Sequence, residues 1–156
     1  MRILCVCLGN ICRSPTAEAV LRELAAREAP GLLTRVDSAG TAGYHRGDPP
    51  DPRSIAVGRA RGYDLSSLRA RQVARADFTS FDVILAMDRA NLAALQAIAP
   101  SRTTAALGLF LQHAAASGHD KVPDPYYGER ADFERVVDLI ETGARALLAQ
   151  WREQAR

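Results

Sequence analysis

A cysteine six positions ahead of an arginine, with a glycine between them and Ser-Pro directly after, can hold and attack an oxyanion; residues Cys7 to Pro15 read CLGNICRSP. A thiolate is a strong nucleophile, and the planar guanidinium fork matches two phosphate oxygens at once. Of the three cysteines, Cys5, Cys7 and Cys12, only Cys7 has an arginine at the sixth following position; Ile11 and Glu18 stand there for the other two. The spacing selects Cys7 as nucleophile and Arg13 as its oxyanion partner. Cys5, inside an apolar run, reads better as a small core residue.

That chemistry needs a frame. Arg2 to Cys7 (RILCVC) is a continuous apolar run of strand length, as a central strand of a parallel sheet requires. Ser14 reads as a helix N-cap with Pro15 at the first helical position; Val20, Leu21 and Leu24 form the apolar stripe, and Pro30-Gly31 ends the helix. A loop between a buried strand and a helix start offers unpaired amides and the positive end of the helix dipole. Gly9 frees the backbone to turn those amides inward, so Leu8, Gly9, Asn10, Ile11, Cys12, Arg13 and Ser14 are the expected phosphate-binding residues. The same field favours a thiolate at Cys7.

Further along, a second strand is predicted near Leu33 to Asp37, an exposed turn-rich loop over Gly40 to Pro52, and a helix capped by Asp51-Pro52 and closed by Gly62. Val83 to Ala86 reads as a third strand, Asp88 to Ala97 as a helix and Thr103 to Leu107 as a fourth strand. Gly118 to Gly128 is turn-rich, and Phe133, Val136, Val137, Ile140, Leu147, Leu148 and Trp151 then recur at helical spacing. The alternation predicts one α/β domain over residues 1–156: a central four-stranded parallel sheet, helices on both faces, and a phosphate-binding loop after the first strand. Ligands of such folds lie at the carboxyl ends of the strands, where Cys7 falls.

Composition narrows the partners. Lys plus Arg is 20 and Asp plus Glu is 18, a formal charge of +2 that argues for neither nucleic acid nor an anionic membrane. No run has the length of a membrane span, and the N-terminal run lacks the length and cleavage site of a signal peptide. Clustered cysteines in odd number do not suit a secreted disulfide framework, so a cytoplasmic location is expected. Lys121 is the sole lysine, and Arg22, Arg35, Arg59 and Arg61 are expected to solvate helix faces. His45, His113 and His119 are scattered surface residues without metal-ligand spacing. Neither metal nor cofactor is expected, because Arg13 and the amides neutralise the phosphoryl charge. A monomer or weak dimer is expected.

The loop CLGNICRSP resembles the signature loop of the low-molecular-weight protein tyrosine phosphatases. Ser38 to Thr41 (SAGT), Gly47 to Arg53 (GDPPDPR), Ala70 to Gln72 (ARQ), Met87-Asp88 and Asp124 to Gly128 (DPYYG) match that family's landmarks in order, over essentially the whole chain. The resemblance implies Asp124 as general acid and base, protonating the leaving phenolate and later activating water against a phosphocysteine. It implies Tyr126 and Tyr127 as one wall of a substrate pocket that also takes in Leu8 and Ile11, with Tyr44 opposite. Ser14 is implied to hydrogen-bond the cysteine sulfur, and Asn10 and Ser38 to brace the loop. Cys12 resembles the family's second loop cysteine, which can trap an oxidised Cys7 as a disulfide. Where many members carry a histidine two residues before the alanine of ARQ, this chain has Leu68, which implies a shorter bracing network.

The implied function is hydrolysis of phosphotyrosine in proteins and of small aryl phosphates, with inorganic phosphate as product. Arginine phosphatases on the same fold are the alternative; they tend to carry threonine where this chain has Ile11, and a bulkier aliphatic side chain favours an aryl ester. Arsenate reductases add redox cysteines downstream, and this chain has none after Cys12. A non-catalytic phosphate-binding module would need neither Cys7 nor Asp124. A P-loop nucleotidase is excluded by the missing Gly-Lys-Ser/Thr run.

Overall fold

A computed structural model of the chain describes residues 1–112 and 120–156. His113, Gly118 and His119 lie outside the described residues. Strand β1 (Arg2–Cys7) leads into α1 (Arg13–Glu28), β2 (Arg35–Gly40), α2 (Pro52–Ala60), the short α3 (Asp77–Ser80), β3 (Val83–Ala86), α4 (Arg89–Ile98), β4 (Ala106–Leu109) and α5 (Arg130–Gln154). The strands form one parallel sheet in the order β2-β1-β3-β4. The expected four-stranded parallel α/β architecture is thus the one observed.

Side chains of β1 alternate between two apolar cores. Ile3, Cys5 and Cys7 join the core built with α1 and α5, while Leu4 and Val6 join the core on the other face with Phe78, Phe81 and Leu95. Burial on both faces is why RILCVC carries no polar alternation. Each fully buried aliphatic side chain of this kind contributes roughly 1.5–3 kcal/mol. On α5, all seven apolar residues singled out by their spacing are buried, Phe133, Val136, Val137, Ile140, Leu147, Leu148 and Trp151. No helix among the described residues is long and apolar enough to cross a membrane.

Several expectations need correction. Strand β2 runs to Gly40, three residues past the expected end, because Ser38, Ala39 and Gly40 pair with Cys5, Val6 and Cys7. Strand β4 is displaced toward the C-terminus for the same reason: its register on β3 joins Val83 to Ala106 and Ala86 to Leu109. The helix after the loop starts at Arg13, one residue before Ser14; Cys12 is its N-cap and makes no side-chain capping bond. Ser14 is therefore inside the first turn, and its hydroxyl is engaged elsewhere. The expected cap Asp51 does accept from Arg53 N, and Gly62 follows α2 at φ +90°, the left-handed geometry that glycine tolerates.

The arginines expected to solvate helix faces are in part tied down. Arg22 pairs with Glu18 at 2.5 Å, Arg61 pairs with Asp138 at 2.8 Å and with Glu141, and Arg35 lies on a strand with its guanidinium 4.5 Å from the Phe81 ring centroid.

Candidate active site

The turn from β1 into α1 lies at the carboxyl edge of the sheet. Its one residue with left-handed backbone is Asn10, at φ +59°. The special conformation therefore falls on Asn10, and Gly9 serves space instead: a Cβ there would stand 3.1 Å from His45 Cδ2. Asparagine tolerates this region because its short side chain can bond locally, and here the side chain makes one local bond and two long-range ones. Asn10 Nδ2 donates to Ser14 Oγ at 2.8 Å and to Ser38 Oγ at 3.0 Å, and Asn10 Oδ1 accepts from Arg71 N at 3.0 Å.

Through this hub Ser14 Oγ is oriented 3.0 Å from Cys7 Sγ. Ser14 Oγ accepts from Asn10, and its single proton has two acceptors in reach, Cys7 Sγ at 3.0 Å and the Ala39 carbonyl at 3.5 Å. On the far side, Ser38 Oγ donates to Glu18 Oε1 at 2.7 Å. Glu18 is buried, which pushes its carboxyl pKa up from the ordinary range. Leu68 packs against the apolar core, and the bracing function falls to the Arg71 amide and to Glu18.

Arg13 is almost wholly buried and is pinned from two sides. Its Nη1 donates to Asp88 Oδ2 at 2.6 Å and to the Val122 carbonyl at 3.2 Å, while Nη2 stands 3.7 Å from Asp124 Oδ2. Asp88 also caps α4 by accepting from Asn91 N at 2.8 Å. One carboxylate thus fixes both a helix start and the guanidinium.

Cys7, Arg13 and Asp124 line one cleft of about 310 Å³, together with Leu8, Gly9, Ile11, Cys12, Tyr44, His45, Tyr126 and Tyr127. Asp124 is half exposed, and its Oδ1 accepts from Tyr126 N at 3.1 Å. Tyr126 and Tyr127 meet edge to face with centroids 5.0 Å apart, and Tyr127 and Tyr44 are 96% and 78% exposed. Ser38 lies behind the loop and outside the cleft lining. His45, expected as a plain surface residue, forms part of the wall, with Nδ1 3.3 Å from Asp48 Oδ2.

All three cysteines are free. Burial raises the Cys5 thiol well above its ordinary value, and burial drives Cys12 up to about 12 against an opposing hydrogen bond from Ser54. Both stay protonated near neutral pH. Three contributors escaped the residue patterns: Asp88, whose role needs the β3 end beside α1; Arg53, which reaches the Tyr126 carbonyl; and Glu18, which looks like an ordinary helix-face acid in sequence. Asp88 and Arg53 left a trace, as the last residues of the Met87-Asp88 and Gly47 to Arg53 landmarks, and Glu18 left none.

The fold and cleft define a parallel α/β protein that carries a thiol and a buried guanidinium on one strand-to-helix turn. Residues 2–156 match the family described as low molecular weight phosphotyrosine protein phosphatase, and the chain belongs to that family. It is 44% identical over 156 residues to the low molecular weight protein-tyrosine-phosphatase of Streptomyces coelicolor, covering 98% of this chain and 94% of the relative. A protein tyrosine phosphatase from Entamoeba histolytica, solved with Hepes in its active site, superposes with a TM-score of 0.92 at 38% identity, over 100% of this chain and 99% of its own. A Drosophila arginine phosphatase superposes with a TM-score of 0.90 at 29% identity, over 97% of this chain and 98% of its own.

Proposed function

We propose that this phosphatase hydrolyses phosphotyrosine in proteins, and small aryl phosphates, through a phosphocysteine on Cys7. The observation that carries the reading is the Arg13 guanidinium, fixed by Asp88 beside the Cys7 loop and 3.7 Å from the Asp124 carboxylate. Nucleophile loop, oxyanion partner and acid share one wall-lined cleft.

In the first half-reaction the substrate phosphoryl oxygens sit on the amides of residues 8–14 and on the Arg13 fork. Cys7 Sγ forms a bond to phosphorus as the bond to the tyrosine oxygen breaks, and protonated Asp124 delivers its proton to that oxygen. In the second half-reaction Asp124, now a carboxylate, takes a proton from water as the water oxygen attacks phosphorus. The S–P bond breaks, inorganic phosphate leaves, and the Ser14 hydroxyl, 3.0 Å away, steadies the departing sulfur. Asn10 and Ser38 hold that hydroxyl in place.

Tyr44, Tyr126 and Tyr127 stand exposed at the rim above Cys7, which suits a flat ring presented on a protein surface. The cytoplasm fits three free cysteines. The arginine phosphatase superposition keeps phosphoarginine as the second reading, which Ile11 in the cleft wall disfavours. Matched phosphotyrosine and phosphoarginine peptides decide between them: the phosphotyrosine peptide turns over faster by an order of magnitude or more, and the reverse order would replace this assignment.

Cys12 lines the same cleft and serves as redox partner: an oxidised Cys7 sulfenic acid condenses with the Cys12 thiol, losing water and forming a disulfide that a reductant reopens. Mild peroxide should yield a Cys7-Cys12 linkage by peptide mass spectrometry. Over-oxidised Cys7 beside a free Cys12 would contradict that role.

A further inference from the structure

The loop that carries Asp124 is tied to the rest of the cleft by a side chain without a task in the chemistry above. Arg53, in the first turn of α2, sends Nε to Asp51 Oδ1 at 3.0 Å and Nη2 to Asp51 Oδ2 at 2.8 Å. The Asp51 carboxylate is itself buried. The same guanidinium donates through Nη2 to the Tyr126 carbonyl at 3.0 Å and reaches the Gly128 carbonyl at 3.5 Å through Nη1. It lies 4.4 Å from the Phe133 ring centroid and 5.6 Å from that of Tyr126.

Both ends of this fork meet the proposed machinery. Asp51 N donates to the Ile11 carbonyl of the phosphate loop at 2.8 Å, and Tyr126 N donates to Asp124 Oδ1 at 3.1 Å. The path Ile11, Asp51, Arg53, Tyr126, Asp124 is continuous in hydrogen bonds and covalent backbone. Asp124 is half exposed and touches Arg13 only at 3.7 Å, so its distance from the phosphate depends on how its loop is held.

We propose that Arg53 is a positioning residue: its guanidinium, locked on Asp51, sets the Asp124 carboxyl at the height above the phosphate loop where it meets the leaving oxygen. The inference rests on Asp124 as general acid. A group misplaced by about 1 Å can lose about 100-fold in rate. Lysine is no substitute, because one ammonium cannot serve the two Asp51 oxygens and the Tyr126 carbonyl in fixed directions.

Dependence on the leaving group separates this role from a merely structural one. Protonation by an acid matters most when the departing phenolate is basic and least when it is a stable anion. In Arg53→Met, kcat/KM for phenyl phosphate should fall about ten-fold, the effect of losing one charge-assisted bond, while p-nitrophenyl phosphate changes little. Alkylation of Cys7 by iodoacetate should keep its native rate, and Arg53→Lys should fall between native and Arg53→Met. Adding Arg53→Met to Asp124→Ala should cost nothing further on phenyl phosphate.

Equal losses on both esters, or an additive double variant, would overturn the positioning role. Should Arg53→Met not fold, Arg53→Lys carries the same comparison. If Asp124→Ala itself shows no leaving-group dependence, the acid assignment falls and the inference with it; a steep Asp124→Ala profile beside a parallel Arg53 profile removes the inference alone.

Discussion

Replacing Asn10 by alanine removes the hub of the phosphate loop. Three hydrogen bonds at 2.8, 3.0 and 3.0 Å disappear, and a buried net contribution of about 1 kcal/mol applies to each. Alanine must also adopt the φ of +59° that Asn10 occupies, at a cost of about 1 kcal/mol. The expected destabilisation is roughly 4 kcal/mol, which for a domain of this size lowers Tm by about 8–16 °C. Asn10→Gly relieves the backbone but not the lost bonds, so it should recover about 1 kcal/mol of that loss. Urea denaturation of the three proteins, read with kcat on an aryl phosphate, checks both parts. If Asn10→Ala lost less than about 0.5 kcal/mol, the size of an ordinary surface change, the hub assignment would be wrong.

Other perturbations test other parts of the site. Asp88→Asn removes the charge that pins Arg13 at 2.6 Å and should lower kcat/KM about 10–100-fold, the range for a bond to a charged group; unchanged kinetics would show that Arg13 needs no anchor. Gly40→Ala would bring a Cβ within 2.7 Å of the Leu8 carbonyl and 2.9 Å of the Ala42 carbonyl. Because both are backbone, it should destabilise by about 2–3 kcal/mol and impair turnover together, and a fully active, equally stable variant would refute that contact. Burial raises the Glu18 pKa, so the folded state holds that proton more tightly than the unfolded chain. The associated stability is present below the ordinary carboxylate range and is lost as pH rises through the raised value, at about 1.4 kcal/mol for each tenfold difference in proton affinity between the two states. Native stability relative to Glu18→Gln should therefore decline with rising pH across that window, and parallel denaturation curves would argue against it.

How much was legible in the sequence depended on whether burial or pairing set an element. Strand β1 and strand β3 could be bounded to the residue because two-sided burial leaves unbroken apolar runs. The ends of β2 and β4 could not, since Ser38, Gly40 and Gly108 join the sheet by backbone register, which leaves no mark on side-chain type. Ser14 shows the same limit within the site. Serine before proline is a sound cap signal, yet here Asn10 and Cys7 claim the hydroxyl and the helix begins two residues earlier, with Cys12 as its N-cap. The spacing of Cys7 and Arg13 was readable because the cradle is local. Asp88, Glu18 and Arg53 act across 75, 20 and 73 residues of separation, and only tertiary packing reveals their partners.

The proposed reaction passes the phosphoryl group through the sulfur of Cys7. Rapid acid quench of the Asp124→Ala protein during turnover of p-nitrophenyl phosphate, followed by peptide mass spectrometry, tests it directly. A single phosphoryl group should sit on the peptide containing Cys7, and Cys7→Ser should give neither adduct nor turnover. A phosphoryl group found on another residue, or undiminished turnover by Cys7→Ser, would contradict the mechanism.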